Sequence, residues 1–391
     1  MFRICFFYFV LFSSFAVILM FVPLYLQELG LSTSQIGFIV AMGSVVSIVS
    51  QPMFGFISDK TQSKRKVLFI IITLSLLISF AFFSVQTYHA LLFWFILFMF
   101  FSRASGPLTE SFTMQFALKN NKNYGAMRAF GDIGTGTAAI AVGTLIGLIG
   151  IQYVGYIYAA FILLAIPIVF SLQEDNHNHV KKPTRFSYIS IQQLLKNKRY
   201  ISFVFICFII FISHKMNDSL FSIYLSNLGA NEAQIGKAWM LATFSSVPVF
   251  ALTGVLIKKY HEMLLVSIAS ILYCVRWFLY GFFDNSEILT YLQLMQGITF
   301  PILFVAAFSY ITKIIPKEAS ATGQLIFIAA TMGIGGLIGS AGGGWLMDKY
   351  TPQIAYFTGS SITVVGTLLA TFLLMRLKTS IITKKNVSKA Y

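Results

Sequence analysis

The stretch Tyr25–Lys66 decides the fold. It opens as YLQELGLSTSQIG (25–37), runs on through apolar residues, and closes as QPMFGFISDKTQSKRK (51–66). The opening returns as YLSNLGANEAQIG (224–236). A constant offset of 199 residues relates Tyr25 to Tyr224, Gly37 to Gly236 and Gly55 to Gly254. Asp59-Lys60 falls opposite Lys258-Lys259, so the basic turn repeats while its acid does not. An offset near half of 391 residues means two related halves. Internal symmetry of this size in an apolar chain is a signature of transporter folds.

Composition agrees with a membrane chain. Hydrophobic residues make up 57% and charged residues 10%, against about 25% charged in an ordinary soluble domain. The mean hydropathy of +0.79 leaves no room for a large soluble domain. A net charge of +15 raises the possibility of a nucleic-acid partner. The charges, however, sit in short gaps between apolar runs of about 20 residues, the length that spans a bilayer as a helix. Cys5, Cys207 and Cys274 all lie inside such runs and show no metal-like spacing. They read as small apolar fillers. The first run, about 4–26, is too long for a signal peptide and lacks a small-residue cleavage site, so it is expected to stay as the first span.

Twelve spans are expected. They cover about 4–26, 36–57, 67–86, 90–115, 126–150 and 153–172, then 200–225, 235–257, 264–283, 288–312, 321–346 and 354–377. An even number puts both termini on one side. Of the 28 lysines and arginines, 22 lie at the termini or in the gaps that share their side. The opposite gaps clearly hold only Lys349. The positive-inside rule then places both termini in the cytoplasm and accounts for the net charge without nucleic acid. The organisation expected is an all-α membrane protein of two pseudo-symmetric six-helix bundles, 1–172 and 200–377, with a cytoplasmic linker 173–199 and a cytoplasmic tail 378–391. The linker ends in an amphipathic stretch expected to lie along the interface. Its His177 and His179 have no further ligand nearby and read as solvated residues, so neither metal nor cofactor is expected.

Ionisable residues inside a membrane are costly and usually functional. Seven stand within the spans: Arg103, Glu110, Arg128, Asp132, Lys215, Asp218 and Arg276. Glu110 lies ten residues before the turn at Asn120 and Arg128 eight after it, so two antiparallel helices bring them to similar depth. Arg128 and Asp132 are four apart, and Lys215 and Asp218 three apart, each pair on one helix face. Internal ion pairs that only hold the bundle together are the alternative reading. Charge inside lipid needs a water-filled cavity, which a transporter has. The glycines of spans five and eleven read as close helix packing. No strand precedes them, so they are not phosphate loops.

The residues carry a resemblance. GFISDKTQSKRK (55–66) resembles the loop motif of the major facilitator superfamily, and Gly254–Lys259 its degenerate second copy. Nearly the whole chain resembles that superfamily's lactose permease branch of sugar and proton symporters. YLQELGLSTSQIG followed by QPMFGFISDK, NYGAMRAFG after the span bearing Glu110, and CVRWF around Arg276 carry the likeness. The resemblance implies that Glu110 and Arg128 bind sugar hydroxyls and that Arg276 belongs to the site. It also has departures. Thr135 stands where the branch has its sugar-stacking tryptophan, Gln296 and Thr299 where it has a His–Glu pair, and Thr243 where it has a coupling glutamate. These argue against a β-galactoside and leave Asp218, Asp132 and Glu110 as acids placed to carry a proton. Arg103 is similar to a buried arginine of proton-driven drug exporters, with its spacing to Gly106 one residue short.

The expectation is a monomeric secondary active transporter of the plasma membrane, not an enzyme, working by alternating access. It moves a small polar organic solute, sugar- or nucleoside-like, with a proton or another cation as coupling ion. Proton-driven efflux of amphiphiles is the alternative. Glu110, Arg128, Arg276, Gln296 and Thr299 are the expected substrate residues. Asp218, Asp132 and Lys215 are the expected proton-coupling residues. Gly55, Asp59, Lys60, Arg65 and Lys66 form the expected gating loop.

Overall fold

A computed structural model describes residues 1–172, 193–316 and 319–387. Among these, twelve helices are long and apolar enough to cross a membrane: α1 (Phe2–Glu28), α2 (Thr33–Thr61), α3 (Lys64–Ser84), α4 (Tyr88–Lys119), α5 (Tyr124–Ile149), α6 (Ile151–Ser171), α7 (Lys198–Asn227), α8 (Glu232–Lys259), α9 (Glu262–Phe282), α10 (Ser286–Ile314), α11 (Thr322–Lys349) and α12 (Pro352–Arg376). Each matches an expected span to within a few residues at either end, most starting two or three residues earlier. The extra turns carry caps and charges that an apolar-run reading trims away. α2, for example, begins at a Ser32 capping box with Gln35 and ends in a basic turn with Lys60. Most of the linker, with His177 and His179, lies outside the described residues; 193–196 form one helical turn, and Asn197 caps α7. The α12 backbone continues as helix to Val387, past the expected boundary at 377.

The 199-residue repeat is a piece of capping chemistry used twice. Gly30 and Gly229 end α1 and α7 at φ of +82° and +81°, a left-handed conformation that costs glycine least. The following amides, of Leu31 and Ala230, close back onto the carbonyls of Leu26 and Leu225, as a Schellman motif requires. Ser32 and Asn231 then cap α2 and α8 by accepting from the amides of Gln35 and Gln234. Tyr25 and Tyr224 anchor the same turn in each half, donating to the carbonyls of Phe83 and Tyr280.

Gly37 and Gly236 explain the rest of the motif. A Cβ on Gly37 in α2 would stand 2.4 Å from the Ser340 carbonyl oxygen of α11. One on Gly236 in α8 would stand 2.2 Å from that of Ala139 in α5. The facing positions are also glycines, Gly344 and Gly143. In lipid, helices associate through close packing rather than hydrophobic expulsion, so small residues mark the seams. The two halves meet along α2–α11 and α5–α8, a pseudo-symmetric pair of seams.

Those seams tighten at the end remote from Met1. The side-chain hydrogen bonds seen between the halves all lie there. Gln27 donates to Asn227 at 2.8 Å. Asp348 accepts from the amides of Thr33 (3.0 Å) and Ser34 (2.9 Å). At the end carrying the termini, no described atom stands within 4 Å of where a Cβ on Gly55 or Gly254 would lie. Thr61, Lys119, Asn121 and Lys258 are exposed there. The space between the halves is therefore closed at the far end and open at the end of the termini.

Candidate functional site

Two polar clusters stand in the membrane-spanning region, one in each half. In the first, Arg128 of α5 bridges two acids. Its Nε lies 3.4 Å from Glu110 Oε1 of α4, and its Nη1 lies 3.1 Å from Asp132 Oδ2 one turn along its own helix. The Glu110 and Arg128 side chains are 41% and 37% exposed, so the pair is wetted rather than sealed. Thr135 points its hydroxyl at the Gly131 and Phe12 carbonyls.

The second cluster is a continuous chain through α7, α9 and α10. Lys215 Nζ donates to Asp218 Oδ2 at 2.8 Å, and His214 Nε2 lies 3.4 Å from the same oxygen. Gln296 donates through Nε2 to Asp218 Oδ1 at 3.3 Å and accepts from Arg276 Nη1 through its own Oε1. Arg276 Nη2 donates to Gln293 Oε1 at 2.7 Å, and Tyr280 donates to that oxygen at 3.0 Å. Arg276 is fully buried, with no carboxylate of a described residue in contact. Amide oxygens and the faces of Trp277 (4.4 Å) and Tyr280 (5.0 Å) stabilise it instead. α10 breaks between Leu292 and Leu294, and Gln293 sits at that break. Broken helices are common where a transporter lines its cavity.

The structure thus joins Asp218, Lys215, Gln296 and Arg276 in one network and Glu110, Arg128 and Asp132 in another. Thr299 is fully buried, its hydroxyl donating to the Met295 carbonyl of its own helix. Arg103 is half-buried, and its guanidinium makes no hydrogen bond or ion pair with a described residue. The loop at the open end is exposed at Asp59 and Lys60. Lys64 donates to Ser111, Arg65 to the Leu172 carbonyl at 3.1 Å, and the Lys66 amide to Ser63 Oγ at 3.2 Å. The first two bonds pin the start of α3 to α4 and to the end of α6 within one half, and the third caps α3 itself.

Three residues escape the reading by sequence. His214 is buried, stacked on Phe300 (ring centroids 5.0 Å apart, planes 10° apart), with Nδ1 3.2 Å from the Tyr273 hydroxyl. Its signal is the four-residue spacing to Asp218. Gln293 leaves no pattern. Asp348 does: GWLMDK (344–349) repeats the G-x-x-x-D-K of GFISDK (55–60). Its lysine is the one basic residue that stands clearly on the side opposite the termini, and its acid bonds the N-terminus of α2 across the halves.

The profile of the MFS_1 like family matches residues 1–358. The chain is 26% identical over 348 residues to the "Uncharacterized transporter YwbF" of Bacillus subtilis (strain 168), covering 89% of this chain and 86% of that one. It is 24% identical over 375 residues to the maltose permease of Geobacillus stearothermophilus, covering 96% and 94%. The crystal structure of nucleoside transporter NupG superposes with a TM-score of 0.85 at 16% identity, covering 95% of this chain and 98% of that one. Twelve helices in two halves, a repeated loop motif and a match over nearly the whole length make the chain a member of the MFS_1 like family of major facilitator transporters.

Proposed function

We propose that the protein imports a small polar organic solute, sugar- or nucleoside-like, across the plasma membrane with a proton. The observation that carries this reading is the pair of polar clusters in the membrane-spanning region of two halves whose side-chain hydrogen bonds to each other, among the described residues, lie at one end. The likeness to a maltose permease supports a polyhydroxylated cargo. Both termini face the cytoplasm, on the lysine and arginine distribution, so the cavity opens inward. The unit is a monomer of twelve spans.

Glu110 and Arg128 bind cargo hydroxyls by charge-assisted hydrogen bonds. Gln296, Arg276 and Thr299 complete the pole in the other half. Asp218 carries the proton, with Lys215 its partner when ionised and Asp132 the second acid in line. Protonating Asp218 would free Lys215, and cargo reaching Gln296 couples the two events through one hydrogen-bonded chain. The loop Gly55, Asp59, Lys60, Arg65 and Lys66 gates the open end. Proteoliposomes holding a pH dye test the reading: adding a sugar or nucleoside outside should acidify the lumen. A permanently charged amphiphilic cation that alkalinises it in proteoliposomes but not in protein-free vesicles, with no response to sugars or nucleosides, would establish efflux instead.

A further inference from the structure

The seven intramembrane charges do not balance. Arg103, Arg128, Lys215 and Arg276 oppose only Glu110, Asp132 and Asp218. However the three carboxylates are shared, one cation is left without one. Their actual distribution makes the gap larger locally. Arg128 holds two acids, and Asp218 is taken by Lys215. Arg276 is satisfied by Gln293, Gln296 and Tyr280. Arg103 alone among them has a charged group with no hydrogen bond or ion pair to a described residue, Gln51 bonding only its backbone carbonyl. It lies on α4 seven residues before Glu110, two helical turns away on the same face of that helix, so it points the same way as the first polar cluster.

Arginine cannot shed its proton inside a protein. In the open state water solvates the guanidinium. When the cavity occludes that water leaves, and an uncompensated buried charge strongly opposes closure. Protonation of a carboxylate during symport widens the deficit. A neutral solute cannot relieve it, whereas one anionic group can, through the forked hydrogen bonds guanidinium makes with carboxylate.

We propose that the cargo carries one carboxylate, bound by Arg103, making it a sugar-sized hydroxy acid rather than a neutral sugar. This rests on the transport reading above and narrows its substrate class. The hydroxyls go to Glu110 and Arg128. A phosphomonoester, with a charge of about −1.5 to −2 at neutral pH, would overshoot the single excess cation, so carboxylate is the better fit.

The test pairs each acid with its neutral counterpart: glucuronate with glucose and galacturonate with galactose, with glucose 6-phosphate as the dianion. Binding to the purified protein is read by thermal stabilisation, and uptake in proteoliposomes. The acids should bind at least about tenfold more tightly than their counterparts, the scale of one charge-assisted hydrogen bond. Arg103→Gln should bring that ratio to about one, while Arg103→Lys should keep part of it. If Arg103→Gln does not fold, the wild-type ratio and the lysine variant decide. Neutral sugars moving with no acid preferred would overturn the proposal and leave the transport reading standing. A preference that survives Arg103→Gln, or one for the phosphate, would overturn it too. Response to permanently charged amphiphilic cations alone would remove both readings.

Discussion

Asp348→Asn should loosen the closed end of the cavity. The Asp348 carboxylate accepts from two amides at the N-terminus of α2, those of Thr33 and Ser34, from across the halves. Asparagine keeps one acceptor oxygen, turns an NH2 toward the other amide, and removes the charge. A charge at a helix terminus contributes about 0.3–1 kcal/mol when exposed. A hydrogen bond to a charged group contributes about 1.5–3 kcal/mol. Asp348 is exposed, so both terms fall toward their lower ends, for about 1–2 kcal/mol in all. That is roughly a 5–30-fold shift in a two-state ratio, away from the state in which this end is closed. Spin labels on cysteines placed at Glu28 and Tyr350, one in each half at this end, would report it by double electron–electron resonance. Cys5, Cys207 and Cys274 would first be replaced. The variant should gain a longer-distance population and change its transport rate while retaining cargo affinity in the open state. An unchanged distance distribution would refute the assignment of Asp348 as a latch.

Three other outcomes follow from the same geometry. Gly37→Val and Gly236→Val place a side chain where a carbonyl stands 2.4 Å or 2.2 Å from the first added carbon. Each should prop the far end open, so that a cysteine there reacts faster with a membrane-impermeant maleimide; unaltered labelling would show that the seams are loose. Glu110→Gln leaves Arg128 paired with Asp132, so it should abolish cargo binding without lowering thermal stability. Arg128→Ala strands two acids and should lose both, and a Glu110/Arg128 charge swap that restores binding would mark the pair as structural. Asp59→Asn in the exposed loop should slow transport with affinity and membrane level near normal, and unchanged rates would reduce that loop to a topology signal.

Much of the fold is legible in the sequence because the repeat encodes local chemistry. Gly30, Ser32, Gln35 and Gly37 specify a left-handed cap, a helix start and a close approach within thirteen residues of Tyr25, and Gly229, Asn231, Gln234 and Gly236 specify them again. Pairs on one helix, such as Lys215 with Asp218 and Arg128 with Asp132, are likewise fixed by helical spacing. What the sequence hides is register between helices that are distant in the chain. Nothing in the spacing predicts that Gln293 and Gln296 of α10 satisfy Arg276 of α9 and link it to Asp218 of α7. His214 is marked only by its four-residue spacing to Asp218, which is easily passed over inside an apolar run. Asp348 is missed for a different reason: its partners, two backbone amides 314 and 315 residues away, have no side-chain signature.

The central claim, that cargo and proton are coupled through the chain centred on Asp218, is tested most directly by Asp218→Asn in proteoliposomes, with a radiolabelled solute that the wild type accumulates. Asn keeps the shape and loses the titratable oxygen. Solute exchange at equal concentrations should continue, and accumulation driven by an inwardly directed proton gradient should vanish together with solute-dependent acidification of the lumen. If Asp218→Asn still concentrates solute against its gradient, Asp218 is not the proton carrier and the account of coupling is wrong.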